Sequence, residues 1–164
     1  MPETVFGLPT HAIVVHATVV LLPLAAVAVL LHAFWPAARR RLGFVTPLLA
    51  GVALVLVPLS TESGESLEHA VGENALVERH AELADGMLPW AIGLFVVAAG
   101  LWLLDRRRAS NPEPRWLPIV ASVLAVVAVV GTVQQIVRVG HAGAEATWSG
   151  VVTSSSSSGG GDDD

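Results

Sequence analysis

Histidine is the residue whose placement in this 164-residue chain points most directly to chemistry. Imidazole titrates near neutral pH, so it can move protons, and its neutral ring nitrogens bind metals. Five of the six histidines, His11, His16, His69, His80 and His141, come to one side if the chain crosses a membrane four times. His11 and His16 are separated by about 140° around a helix, so an unbroken first turn cannot aim both at one site. His80 stands between two carboxylates in Glu78-Arg-His80-Ala-Glu82. That setting suits a ligand supported by acids, or a solvated helix. Gln134, Arg138, His141 and Glu145 are spaced four, three and four apart and share one helical face. The face is either one wall of a site or a helix end emerging among headgroups, with Arg138 reaching for water.

A b-type haem needs two axial imidazoles at similar depth on facing helices. His11 or His16, with His80 or His141, can supply them, and these four are the candidate cofactor-binding residues. A metal ion without a porphyrin could use His16, His80 and His141 with Glu82. Gln134, Arg138 and Glu145 would support either site. A proton relay needs the same groups and no metal. Each also has a structural reading, because a histidine in an apolar run needs a hydrogen-bond partner. His32 stands apart near the end of the first apolar segment. It lies about 160° around the helix from His16, a poor match to a second haem on the same face. No catalytic residue is identified, since phosphate loops, nucleophile elbows and the His-Glu-x-x-His zinc pattern are all missing. The absence of cysteine excludes disulfides, thiolate metal sites and thioether-attached haem. No basic outward patch suggests nucleic acid.

The elements that position these residues are apolar. The chain is 53% hydrophobic and 14% charged, with mean hydropathy +0.64. Ala12–Leu31, Phe44–Leu59, Met87–Leu104 and Trp116–Val133 are nearly unbroken apolar runs. About 20 such residues cross a bilayer, with roughly 17 as the lower limit. Soluble helices keep one polar face, and these have none. The first run also exceeds a signal peptide's core and lacks preceding positive charge. The expected fold is an all-α, integral-membrane, four-helix antiparallel bundle. Its helices are expected over about 10–35, 43–61, 87–105 and 115–140, within a domain covering 1–152. The loop 62–86 should hold a short amphipathic helix over 73–85, lying at the interface. The stretch 153–164, rich in Ser, Gly and Asp, is expected to be disordered. Gly93 and Gly100 share a face, as do Ala121, Ala125 and Ala128, and such small faces permit close helix packing.

Arginine orients the bundle. Arg39, Arg40 and Arg41 lie between the first two segments, and Arg106, Arg107, Arg108 and Arg115 between the last two. Short arginine-rich loops stay in the cytoplasm. The loop 62–86 carries Glu62, Glu65, Glu68, Glu73, Glu78, Glu82 and Asp85 against Arg79 alone. The expected location is therefore a bacterial inner membrane, with both termini and the acidic loop outside.

Gly7-Leu-Pro-Thr-His11 with His16, Thr61-Glu-Ser-Gly64, Glu78-Arg-His80-Ala-Glu82, and Gly140-His-Ala-Gly-Ala144 with Trp148 follow one another along the chain. In these elements it resembles the bacterial four-helix membrane proteins grouped as domain of unknown function 2231. The resemblance spans nearly the whole chain outside the Ser/Gly/Asp tail. Ala12, where many relatives have proline, and Ala81, where they often have glutamate, depart from the pattern. The resemblance implies the fold above. Relatives occur joined to or beside Rieske-type or cytochrome-like redox modules. That implies a redox role with haem or metal at the outer histidines, and a redox partner protein on the outer side. Two other readings remain: an assembly protein docking through its acidic loop, and a proton or small-solute pathway.

Overall fold

A computed structural model describes residues 4, 5, 7–71, 74–108 and 114–157. Two short strands, β1 (Thr4–Val5) and β2 (Leu8–Pro9), pair antiparallel around Gly7, whose φ of 78° suits glycine. Helices follow: α1 (Thr10–Phe34), α2 (Pro36–Leu42), α3 (Val45–Val71), α4 (Ala75–Asp85), α5 (Met87–Arg108) and α6 (Trp116–Ser157). Four helical stretches, Thr10–Phe34, Val45–Glu68, Ala75–Arg108 and Trp116–Trp148, are long and apolar enough to cross a membrane. The fold is the expected all-α membrane bundle. Neighbours in space are α1–α3, α3–α5, α5–α6 and α6–α1, so the first and last spans are adjacent as anticipated.

Three local expectations change. The helix ending in sequence terms at 61 runs on to Val71, and the last helix runs on to Ser157 rather than 140. Apolar runs track the thickness of hydrocarbon, whereas a helix can continue past it. The helical backbone thus enters the stretch expected to be disordered, while 158–164 lie outside the described residues. The loop 62–86 is consequently a helix end followed by α4, which is capped by Asn74. Its Oδ1 accepts from the backbone N–H of Leu76 at 2.8 Å and Val77 at 3.1 Å. Third, Gly93 and Gly100 do not mark a close contact, since a Cβ on either would meet nothing within 4 Å. Close approach occurs at Gly131 instead, where the ring of Trp90 occupies the space a Cβ would need.

The interior is built of small side chains. Ala25, Ala53, Ala98 and Ala125 are fully buried, with Leu22, Val29, Val57 and Leu94 between them. Large apolar residues such as Val20, Val55, Val96, Ile119 and Val127 point outward. That inversion fits a hydrocarbon solvent, in which burying a large side chain gains little and close backbone approach gains more.

The arginine-bearing end is locked by His32, which is fully buried. Its Nε2–H donates to Asp105 Oδ2 at 2.9 Å, and Nδ1 lies 3.0 Å from Thr46 Oγ1. Arg39 and Arg108 approach Asp105 Oδ1 at 3.7 and 3.5 Å. Arg39 also donates to the terminal α1 carbonyls of His32 and Ala33 at 3.0 and 2.9 Å, which is favourable at a helix C-terminus. One histidine thus ties α1, α3 and α5 together. Trp35, extended before Pro36, sets the bend into α2. Replacing His32 by alanine removes the hydrogen-bond partner of Asp105 Oδ2 and of the Thr46 hydroxyl, and should cost about 1–3 kcal/mol. Unfolding of the detergent-solubilised protein measures this; an unchanged midpoint would show that the clamp contributes nothing.

Candidate functional site

Two histidines at the opposite end are held in the same way. His11, in the first turn of α1, places Nδ1 3.1 Å from the Ser60 carbonyl and 3.2 Å from Ser63 Oγ. His80, in the middle of α4, places Nδ1 3.1 Å from the Val139 carbonyl. Each ring also lies against the glycine four residues beyond its carbonyl. A Cβ on Gly64 would sit 3.2 Å from the His11 ring, and one on Gly143 would sit 3.0 Å from the His80 ring. In a helix, the carbonyl of residue n accepts the N–H of residue n+4. Each imidazole therefore lies over one backbone hydrogen bond of a neighbouring helix, and glycine at n+4 gives it room.

This geometry assigns the proton. A carbonyl can only accept, so Nδ1 of each ring carries hydrogen, and in the neutral imidazole Nε2 presents a lone pair. Neither Nε2 has a hydrogen-bond partner among the described residues. Both rings line two adjoining chambers. The deeper one, about 190 Å³, is walled by Val15, Val19, Leu22, Val57, Met87, Ile136 and Val139, with hydroxyls from Thr18 and Ser60. The shallower one, about 410 Å³, is bordered by Glu65, Glu68, Asp85 and Thr147. The hydroxyls are already paired: Thr18 Oγ1 and Ser60 Oγ are 2.7 Å apart, and Ser60 donates to the Leu56 carbonyl at 2.9 Å. Gln135, buried on α6, pins α4 in place by donating Nε2–H to the Leu83 carbonyl at 2.6 Å.

The remaining expected residues lie elsewhere. His16 is exposed, and its Nδ1–H returns to the Ala12 carbonyl of its own helix. His141 is 75% exposed and pairs with Glu145 at 3.3 Å; Glu145 also meets Arg79 at 3.6 Å. Gln134, Arg138 and Glu82 are exposed. The polar stripe of the last span thus faces away from the cavity. The inward face is carried by Gln135, Val139 and Gly143, one and two positions further round. Among the described residues, no three His, Asp or Glu side chains converge as a metal's ligands would. The set His16, His80, His141 and Glu82 is therefore not brought together, whereas His11 and His80 are. The side chain of His69 lies outside those described. Ser60, Ser63, Gly64, Met87, Gln135 and Gly143 were not anticipated. Gly64 and Gly143 lie inside the sequence elements that carry the family resemblance, which is the one signal that could have found them.

A family model described as predicted membrane protein, DUF2231, matches residues 7–156. No curated protein and no solved structure matches the chain.

The glycines provide a test with opposite signs. At Gly100, where a Cβ meets nothing, alanine should stabilise by up to about 1 kcal/mol through helix propensity alone. At Gly143, alanine must displace a ring held by its own hydrogen bond, and should destabilise. Equal gains at both positions in thermal unfolding would show that the His80 ring is not held against α6.

Proposed function

The chain belongs to the DUF2231 family of predicted membrane proteins, and we propose that it is a b-type haem protein in which His11 and His80 would hold the haem. The observation that carries this reading is two imidazoles on different helices, each with Nδ1–H committed to a carbonyl and Nε2 open to a shared cavity. Ligating histidines characteristically donate their other ring N–H in this way, which fixes the tautomer and raises ligand basicity. His32 is the internal contrast, because both its nitrogens are engaged. The cavity supports a macrocycle over a bare ion. Its deep walls are apolar, which offers nothing to a hydrated cation, and its shallow side is also mainly apolar, with Glu65, Glu68 and Asp85 at the border. The shallower chamber, about 410 Å³, is at the scale of small-molecule sites, roughly 300–1,000 Å³, and the deeper one adds about 190 Å³ beside it.

Bound haem would supply one-electron transfer. The protein's own contributions are positional. The Ser60 and Val139 carbonyls hold the two rings, Gly64 and Gly143 allow the rings to lie close to the helices, and Val15, Leu22, Val57 and Ile136 would shield a bound macrocycle from water. Arginine placement supports an orientation in the inner membrane with the histidine end outside. A redox partner would then meet the shallow chamber from that side.

The test is the absorption spectrum of protein produced with added 5-aminolaevulinate, with and without dithionite, together with haem and total-metal analysis. About one haem per chain is expected. His11→Ala or His80→Ala should each lower haem content about tenfold or more, whereas His16→Ala and His141→Ala should retain it. Folded wild-type protein with no Soret band overturns the proposal and leaves these histidines as structural anchors.

A further inference from the structure

A second feature lies at the arginine-bearing end, on the lipid-facing side between α3 and α5. Here a groove of about 540 Å³ is formed by Phe44 in the turn before α3, Leu48 and Gly51 on α3, and Phe95, Ala99 and Trp102 on α5. The spacing on both helices is helical, so each contributes one continuous stripe. Small residues make the floor. A Cβ on Gly51 would already lie 3.3 Å from the Phe95 ring, so a larger residue there would fill the groove or push Phe95 aside. The groove extends from Phe44, just before α3, to Leu56, a rise of about 18 Å at about 1.5 Å per residue. One leaflet of hydrocarbon is about 15 Å, half of a core of about 30 Å. The groove is therefore long enough to hold an acyl chain across a single leaflet.

Its end at the arginine loop is built differently from its sides. Phe44 and Trp102 meet there, with ring centroids 5.5 Å apart. Arg106 stacks on the same indole, its Cζ 4.6 Å from the ring centroid. Among the described residues Arg106 makes no ion pair, whereas its neighbour Arg108 and the facing Arg39 are engaged with Asp105. Arg106 is exposed at the level where its helix leaves the apolar run. A guanidinium held in place by an aromatic face and lacking an anion presents donors that match phosphate geometry. The groove between α1 and α6, of about 470 Å³, has no cation stacked on its walls among the described residues.

We infer that the α3–α5 groove holds one anionic phospholipid, with an acyl chain along Gly51 and Ala99 and the phosphate on Arg106. Basic pockets between spanning helices commonly take anionic headgroups on the cytoplasmic side. This site is remote from the histidine cavity and does not depend on any cofactor there.

The protein would be reconstituted into vesicles of equal phosphatidylglycerol and phosphatidylcholine, extracted in mild detergent and weighed by native mass spectrometry. One phosphatidylglycerol per chain is expected to remain, preferred about fivefold, as one arginine contact near the headgroup would give. Arg106→Gln should abolish the preference, and Gly51→Leu should abolish retention. Ser122→Leu, in the α1–α6 groove, should change neither. Circular dichroism checks that each variant keeps its helices, and Arg106→Gln, at an exposed position, remains decisive if Gly51→Leu does not fold. Equal retention of phosphatidylcholine, no retained lipid, an unchanged Arg106→Gln variant, or a dimer whose formation Gly51→Leu removes would each overturn the inference.

Discussion

The spans meet through alanine, and the rest of the architecture depends on that contact. With hydrocarbon outside, a buried valine or leucine gains little over an exposed one, so helix association rests on packing and on internal polar contacts. Ala25 on α1, Ala53 on α3, Ala98 on α5 and Ala125 on α6 are all fully buried. A bundle axis filled by methyl groups is closed to ligands. Space can open only where the contact residues change. At the histidine end, α4 packs against α6 and touches α3, and the cavity lies between these elements and α1. The site is thus a consequence of an added helix at one end of a tightly closed bundle.

The two ends use histidine in opposite ways. His32 is buried with a hydroxyl on one nitrogen and a carboxylate on the other. Nothing is left over, and the network closes three helices. His11 and His80 each spend one nitrogen on a neighbouring carbonyl and leave the other facing a cavity. A buried polar atom with no partner is costly, so the free nitrogens are tolerable only because the cavity admits water or a ligand. None of the buried side-chain nitrogens or oxygens among the described residues is in fact without a partner, which places both Nε2 atoms at an open surface.

Much of the bundle was legible in the sequence because membrane crossing is written in composition. The four spans, the adjacency of the first and last, and the amphipathic α4 all followed from apolar runs and short loops. The site was legible in part. Helical geometry showed that His11 and His16 must diverge, and they do: one faces the cavity and the other faces outward. What the sequence could not settle was which face of α6 turns inward. Gln134, Arg138, His141 and Glu145 form a valid stripe, yet Gln135 is the buried glutamine. One residue is 100° of rotation, and polarity does not decide the rotation where a helix leaves the membrane and both faces carry polar groups. His32 was set aside by spacing because spacing tests only for ligands on its own helix. Its partners, Thr46 and Asp105, are on two others.

The glycines separate a built site from a coincidence of histidines. Glycine inside a helix is less favourable than alanine by roughly 1 kcal/mol. Gly64 and Gly143 lie within α3 and α6 and mark no helix end. Each stands four residues past a carbonyl that accepts from an imidazole. Two helices therefore carry the same local weakness in the same relation to a histidine, and both face one cavity. A histidine kept for stability alone needs no such allowance, as His32 shows with both nitrogens engaged and, among the described residues, no glycine against its ring. Local concessions of this kind concentrate where function, and not folding, sets the residue. The repeated carbonyl–glycine cradle is for that reason a stronger argument for a ligand between His11 and His80 than the number of histidines at that end.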